Sequence, residues 1–192
     1  TVTIPTVEYA TPRVDFDSES HTYHVDGDRK VSVTEALSIV TDSLYQRIDP
    51  AVLEHAQRRG TYVHRACELH AMGVLDEGTV DFEVAPYLEG FRKFLDDTGF
   101  VVIHTEMRLY NRLLDYCGTA DVIGLLNGEP GVLDIKTPEQ ISRPAVGAQL
   151  AAYKAAFNTM HRSNPLSGRW ALRVSNRGTY KLDRFYGAED LA

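Results

Sequence analysis

Apolar positions along this chain recur with two periods, 3.6 residues in some segments and two in others, and the order of those segments predicts an α/β protein. Residues 1–13 carry Pro5 and Pro12 without a clear period and read as an irregular arm. Short alternating segments from Val14 to Val33 flank Asp26-Gly27, a dipeptide suited to a hairpin turn. Ser32 or Thr34 can cap a helix running through Tyr45, with Leu37, Val40 and Leu44 at helical spacing. Pro50 opens a second helix to Arg59, Gly60 interrupts it, and Thr61 caps a third from Tyr62 to Met72. A polar connection from Asp76 to Asp81 leads to an amphipathic helix from Val84 to Asp97, with Leu88, Phe91 and Leu95 inward and Gly99 at its end.

The second half reads as strands around one more helix. Phe100 to Tyr110 alternates as the first strand of a meander, and Asn111 to Asp115 forms its loop. Two further apolar runs lie between Gly118 and Lys136, separated by Asn127-Gly128, a strong short-range hairpin signal because both residues accept positive φ. Pro144 suits the first turn of a helix to about His161. Gly168 to Val174 and Gly178 to Tyr186 close the chain as two strands around Asn176-Arg177-Gly178. The order implies a mixed central sheet flanked by helices in a single domain, with 1–33 as arm and hairpin, 34–98 as a helical layer and 99–192 as the core.

The central hairpin also carries chemistry. With Asn127 and Gly128 as the loop, Leu126 faces Glu129 and Asp121 lies opposite Asp134. Lys136 then shares the face of Asp134, while Val122, Leu133 and Ile135 point to the other face, which needs covering. Like charges directly opposite destabilise a strand pair unless something neutralises them, and a divalent cation does so. Hard oxygen ligands suit Mg²⁺ or Mn²⁺. Pro130 cannot donate to the ladder, so a bulge or longer loop competes with this register, and a slip of one residue turns Asp134 away. A lone Asp-x-Lys tripeptide reads as an exposed ion pair; here it is followed by a helix that places Gln149 and Tyr153 on one face.

In that order these residues resemble the PD-(D/E)xK nuclease superfamily, in its RecB-like and phage recombination exonuclease branch. The motifs stand as Gly118-Thr119-Ala120-Asp121, Asp134-Ile135-Lys136 and Gln149-Leu150-Ala151-Ala152-Tyr153, with Ala120 where the superfamily's naming proline would be. Gly60, His64 and Glu68 fit a helix of the same branch. The resemblance implies a restriction-endonuclease-like αβββαβ core behind a helical N-terminal layer, and a metal-dependent deoxyribonuclease of the phage exonuclease type. It implies Asp121, Asp134 and Lys136 as catalytic residues. One or two Mg²⁺ or Mn²⁺ ions would be held by Asp121, Asp134, His64, the Ile135 carbonyl and Glu106, with Glu68 behind them. Gln149 and Tyr153 would line the DNA side, and the resemblance implies DNA, as duplex ends or single strands, for the substrate. It leaves open a homo-oligomer or a recombination partner protein. Two other readings are a non-catalytic DNA-end-binding accessory subunit and a dimeric structure-specific endonuclease; a structural ion site is a third, for which Lys136 has no use.

Bulk properties narrow this picture at its margins. The 192 residues carry 20 basic and 27 acidic side chains, net −7, which argues against a protein that coats nucleic acid generally. Six basic residues between Arg162 and Arg184, Arg173 and Lys181 among them, face Asp183 alone and could contact phosphates; a solvated strand pair explains them equally. No apolar run approaches the ~18–20 residues of a membrane span, and the start shows no signal peptide, so a cytoplasmic location is expected. Cys67 and Cys117 cannot supply the four thiolates of an iron–sulfur cluster, which excludes the cluster-bearing relatives, and a disulfide between them is not expected.

Overall fold

The computed structural model describes residues 12–45 and 49–187, with side chains of the first helix up to residue 39. The irregular arm up to residue 11 and the packing of Val40 and Leu44 lie outside the described residues. The N-terminal hairpin has three strands instead of two: β1 (Val14–Asp17), β2 (Thr22–Val25) and β3 (Asp28–Ser32). Asp26 and Gly27 turn between β2 and β3 with φ of 52° and 93°. Helix α1 (Val33–Tyr45) follows, its start held by the Ser32 hydroxyl, which accepts the Glu35 N–H at 2.9 Å.

The break expected at Gly60 does not occur, and the second and third predicted helices are one, α2 (Pro50–Ala71). Asp49 caps it by accepting the Ala51 N–H. A single interior glycine costs a helix only about 1 kcal/mol, which the burial of Val63, Ala66 and Cys67 outweighs. The polar connection contains a 3₁₀ turn, Glu77–Thr79, and α3 (Ala85–Thr98) ends where Gly99 adopts φ 62°.

The meander is β4 (Val101–Asn111), β5 (Tyr116–Leu126) and β6 (Glu129–Lys136), followed by α4 (Arg143–Met160), β7 (Gly168–Val174) and β8 (Tyr180–Arg184). All eight strands connect into one mixed sheet, with β6 and β7 parallel and β3 parallel to the start of β5. Asn127 and Gly128 have φ of 52° and 82°, and Leu126 pairs with Glu129 as the turn requires. Pro130 causes no bulge and pairs with Leu125. Leu126 and Glu129 form the hydrogen-bonded pair that closes the turn, so Pro130 falls in the next, non-hydrogen-bonded position, where its missing N–H is not needed by β5.

Helices cover both faces. Val63, Leu88, Phe91 and Phe94 of α2 and α3 pack on Val122, Leu133 and Ile135. Trp170 lies on the same side, its ring over the backbone of Gly131 and Gly168. On the opposite face Leu150, Tyr153 and Phe157 of α4 pack on Ala120, Ile123, Val132 and Ala171, with Leu37 of α1 beside them. Tyr23 and Val25 of the N-terminal strands close over Cys117. Both cysteines are buried and free. No helix among the described residues is long and apolar enough to cross a membrane.

A continuous α2 makes a direct prediction. A Cβ on residue 60 would meet only Thr137 Oγ1, at an ordinary 3.7 Å. Gly60→Ala is therefore expected to stabilise the protein by about 0.4–1 kcal/mol, seen as a higher urea midpoint. A lower midpoint would mean that the helix is broken there.

Candidate metal centre

β5 and β6 pair only as far as Val122 and Leu133. One step beyond, the Ile135 N–H donates to the Asp121 side chain, at 2.7 Å from Oδ2, so a carboxylate stands where a ladder carbonyl would be and the strands part. The alternation of β5 breaks at the same residue: Ala120 packs beneath α4, whereas Val122, two positions on, packs beneath α2 and α3. Across from it on β4, Glu106 has φ of 48°, between the pairs Thr105–Val122 and Met107–Ala120. Such backbone at a non-glycine residue costs of order 1–3 kcal/mol. The two irregular positions thus carry the two acids.

His64 reaches this fork from α2, with Nδ1 3.4 Å from Asp121 Oδ2. One donor atom from each of His64, Glu106 and Asp121 lies within 4.8 Å of the other two, a spacing compatible with a shared cation. One imidazole nitrogen and two carboxylate oxygens form a mixed donor set of a kind that several divalent ions accept.

Asp134 is not in that trio, contrary to the pairing expected from the register. The reason is the fork: the ladder ends before Asp121 and Asp134 become partners, and Asp134 lies on the α4 side, beside Ala171. It is 1% exposed, and Lys136 Nζ lies 2.8 Å from its Oδ2, outside hydrogen-bonding alignment. Lys136 also donates to Gln149 Oε1 at 3.0 Å, and Gln149 Nε2 donates to the Tyr153 hydroxyl at 3.0 Å. A chain of contacts therefore runs from Asp134 through Lys136 and Gln149 to Tyr153. Glu68 sits one turn beyond His64, held by Arg65. Ile135 meets the site with its N–H.

Arg173 is the register partner of Lys136 on β7, and Lys181 is the partner of Arg173 on β8. Side chains in register share a face, so the three cations form a row across adjacent strands. Asp183 organises its outer end, 2.7 Å from Arg173 Nε, 3.7 Å from Lys181 Nζ and 3.9 Å from Arg143 Nη1. Arg143 was not singled out in the sequence, and Asp183 was noted only as the lone acid among the basic residues. Their signal would have been the β7–β8 register, which only the position of the Asn176-Arg177-Gly178 turn encodes.

Burial and charge oppose one another throughout the fork. Burial lowers the basicity of His64, but the adjacent Asp121 carboxylate outweighs it and raises the imidazole to about 9. Burial raises Asp121, yet His64, Lys136 and the Ile135 N–H together hold its carboxyl below the ordinary value. Glu106 is reached by solvent, but the surrounding protein and then the charge of Asp121 push it up to about 7. Burial pushes Asp134 up to about 6 against the pull of Lys136, with Asp121 adding to the rise. In comparisons with known proteins, no family model matches this chain and no curated protein sequence does so.

Two predictions follow from the geometry. A Cβ at Gly118 would lie 2.6 Å from Tyr153 Cε1, so Gly118→Ala must displace the ring that ends the chain from Lys136. Overpacking of this kind costs about 1–3 kcal/mol, read as a lower urea midpoint; an unchanged midpoint would refute the contact. The second concerns pH. His64 is raised to about 9, so its stabilising contribution is complete below its unfolded value of 6.5 and is lost as pH climbs through about 9. Glu106 and Asp134 are raised to about 7 and about 6, so each costs stability once pH exceeds its ordinary value. All three have the folded state holding extra protons, whereas His70 and His161 are lowered and act oppositely up to about 6.5, so the fall of stability in EDTA should appear as pH rises from about 6.5 to about 9. Mn²⁺ should flatten that fall by taking the place of the protons. A thermal midpoint independent of pH in EDTA would contradict these assignments.

Proposed function

We propose that this chain is a divalent-metal-dependent deoxyribonuclease of the PD-(D/E)xK type, most similar to the phage recombination exonucleases. The observation that carries this reading is the meeting of two arrays at one strand fork. His64, Glu106 and Asp121 supply cation donors. Asp134, Lys136 and Gln149 hold an ammonium group beside them. A purely structural ion would need the first array and have no use for the second.

In this reading His64, Glu106 and Asp121 hold a Mg²⁺ or Mn²⁺ ion, with Asp134 and the Ile135 carbonyl adjoining. Such an ion, when bound, acidifies water and draws charge from a phosphate. The remaining work falls to the chain itself. Asp134 and Gln149 fix the Lys136 ammonium from two sides, so it meets a phosphate already oriented. Lys136 orients the attacking water and donates to a phosphate oxygen as negative charge builds there. Tyr153 restrains the Gln149 amide and, through it, the lysine. Arg173 and Lys181 continue the row of cations outward and would bear on the next phosphates of the strand.

The test uses linear and circular DNA with Mg²⁺, Mn²⁺ or EDTA. Cleavage of linear DNA that spares circles and stops in EDTA is expected for an exonuclease; cleavage of circles would assign an endonuclease. Asp134→Asn and Lys136→Ala should each lower turnover by about 10²–10⁴-fold, with Lys136→Ala leaving Mn²⁺ binding largely intact. DNA binding without cleavage by the parent would replace the enzyme with an end-binding accessory subunit, and no interaction with DNA would leave only an ion site.

A further inference from the structure

A cavity of about 240 Å³ opens between the first half of α2 and the turn that precedes α3. His55, Arg58, Arg59 and Tyr62 line one wall, and Phe82 stands on the other. Phe82 is 81% exposed and Tyr62 56%, so two aromatic rings present their surfaces to water at the same opening. Two acids also line the cavity, each with one partner. Asp81 accepts the Glu83 N–H at 2.8 Å, and Glu83 Oε2 lies 3.3 Å from His55 Nε2.

The arginines are not so engaged. Among the described residues neither Arg58 nor Arg59 has a carboxylate partner. Arg59 lies over the Tyr87 ring at 5.3 Å, and its Nε is buried without a hydrogen-bond partner. A buried donor left unpaired is unfavourable, so the Arg59 guanidinium has hydrogen-bonding capacity still to satisfy. Asp81 and Glu83 offset Arg58 and Arg59 in charge, so an anion here would be held by directed hydrogen bonds from the guanidinium groups and not by an excess of positive charge.

The cavity is separate from the metal centre. Successive helical residues are about 100° apart, so Gly60 and His64 share one flank of α2 while His55, Arg58 and Tyr62 lie on the other. Gly60 faces Thr137, one residue past Lys136. The width of α2, about 10 Å, lies between the two sites.

We propose that this cavity binds one nucleotide, its base stacked on Tyr62 and Phe82 and its phosphate held by Arg58 and Arg59. Aromatic faces accept any base, and guanidinium groups match phosphate oxygens in pairs. The volume is below the ~300–1,000 Å³ typical of drug-sized ligands and suits a single base better than two. The ligand is either a free mononucleotide or an unpaired nucleotide of a strand that continues round α2. Only the second source rests on the nuclease reading.

Titration in EDTA, where cleavage does not intervene, separates the possibilities. The probes are thymidine monophosphate and an oligothymidylate of about 12 nucleotides, within the ~4–16 nucleotide range of single-strand binding sites. Phe82→Ala and Tyr62→Ala should each weaken binding about tenfold, and Arg58→Glu should also reduce its salt dependence. Melting temperatures should be unchanged, since Phe82 and Tyr62 are exposed. Binding of the monophosphate alone identifies a free nucleotide; binding of the oligomer alone identifies a unit of a strand; both support the site. Failure of the parent to bind either probe, or equal binding by parent and variants, overturns it, as it would if the surface docks a protein. Because no step uses the metal, loss of DNA cleavage in the parent would remove the nuclease reading and leave this result unaffected.

Discussion

Ile135 gives its N–H to the side chain of Asp121 instead of to a backbone carbonyl of β5, and the two central strands separate from that point on. A regular ladder would have filled the space with paired backbone. The fork instead leaves an opening that His64 enters from α2 and Glu106 from β4. The edge of β5 that β6 releases does not stay bare, because β3 pairs with it at Tyr116 and Cys117. The N-terminal strands are thus part of what keeps the fork open, as well as a cover for Cys117.

Gathering acids beside a buried carboxylate is unfavourable in itself, and the fork balances it with protons and with Lys136. His64 stands beside Asp121, and its raised basicity places a proton next to that carboxylate. Asp134 is served differently, by an ammonium group fixed from α4. The site is therefore divided between the helical layers. The α2 side contributes His64 and the α4 side fixes the Lys136 ammonium, with Asp121 between them interacting with both.

Much of the fold was legible because it rests on local signals. Asn127-Gly128 set the register of the central hairpin, and that register brought Leu133 and Ile135 under α2 and α3 and turned Asp134 toward α4. Pro144 and Gly99 marked helix ends through fixed φ and the left-handed backbone. Gly60 misled because a local propensity worth about 1 kcal/mol was set against tertiary burial that the sequence does not display. The third N-terminal strand, β1, and the exclusion of Asp134 from the donor trio share another cause. Both depend on where a ladder stops, and a hydrophobic pattern of period two does not say where alternation will break. Glu106 lies opposite Asp121 in the β4–β5 register, but its positive φ belongs to the break itself and has no counterpart in residue type.

The unbroken α2 carries His64 on the same rigid rod as Val63, Ala66 and Cys67, which are locked into the core. The position of the His64 backbone relative to Asp121 is therefore set by the packing of these apolar neighbours. Changes in those interior residues would shift the spacing of His64, Glu106 and Asp121 without altering any of the three.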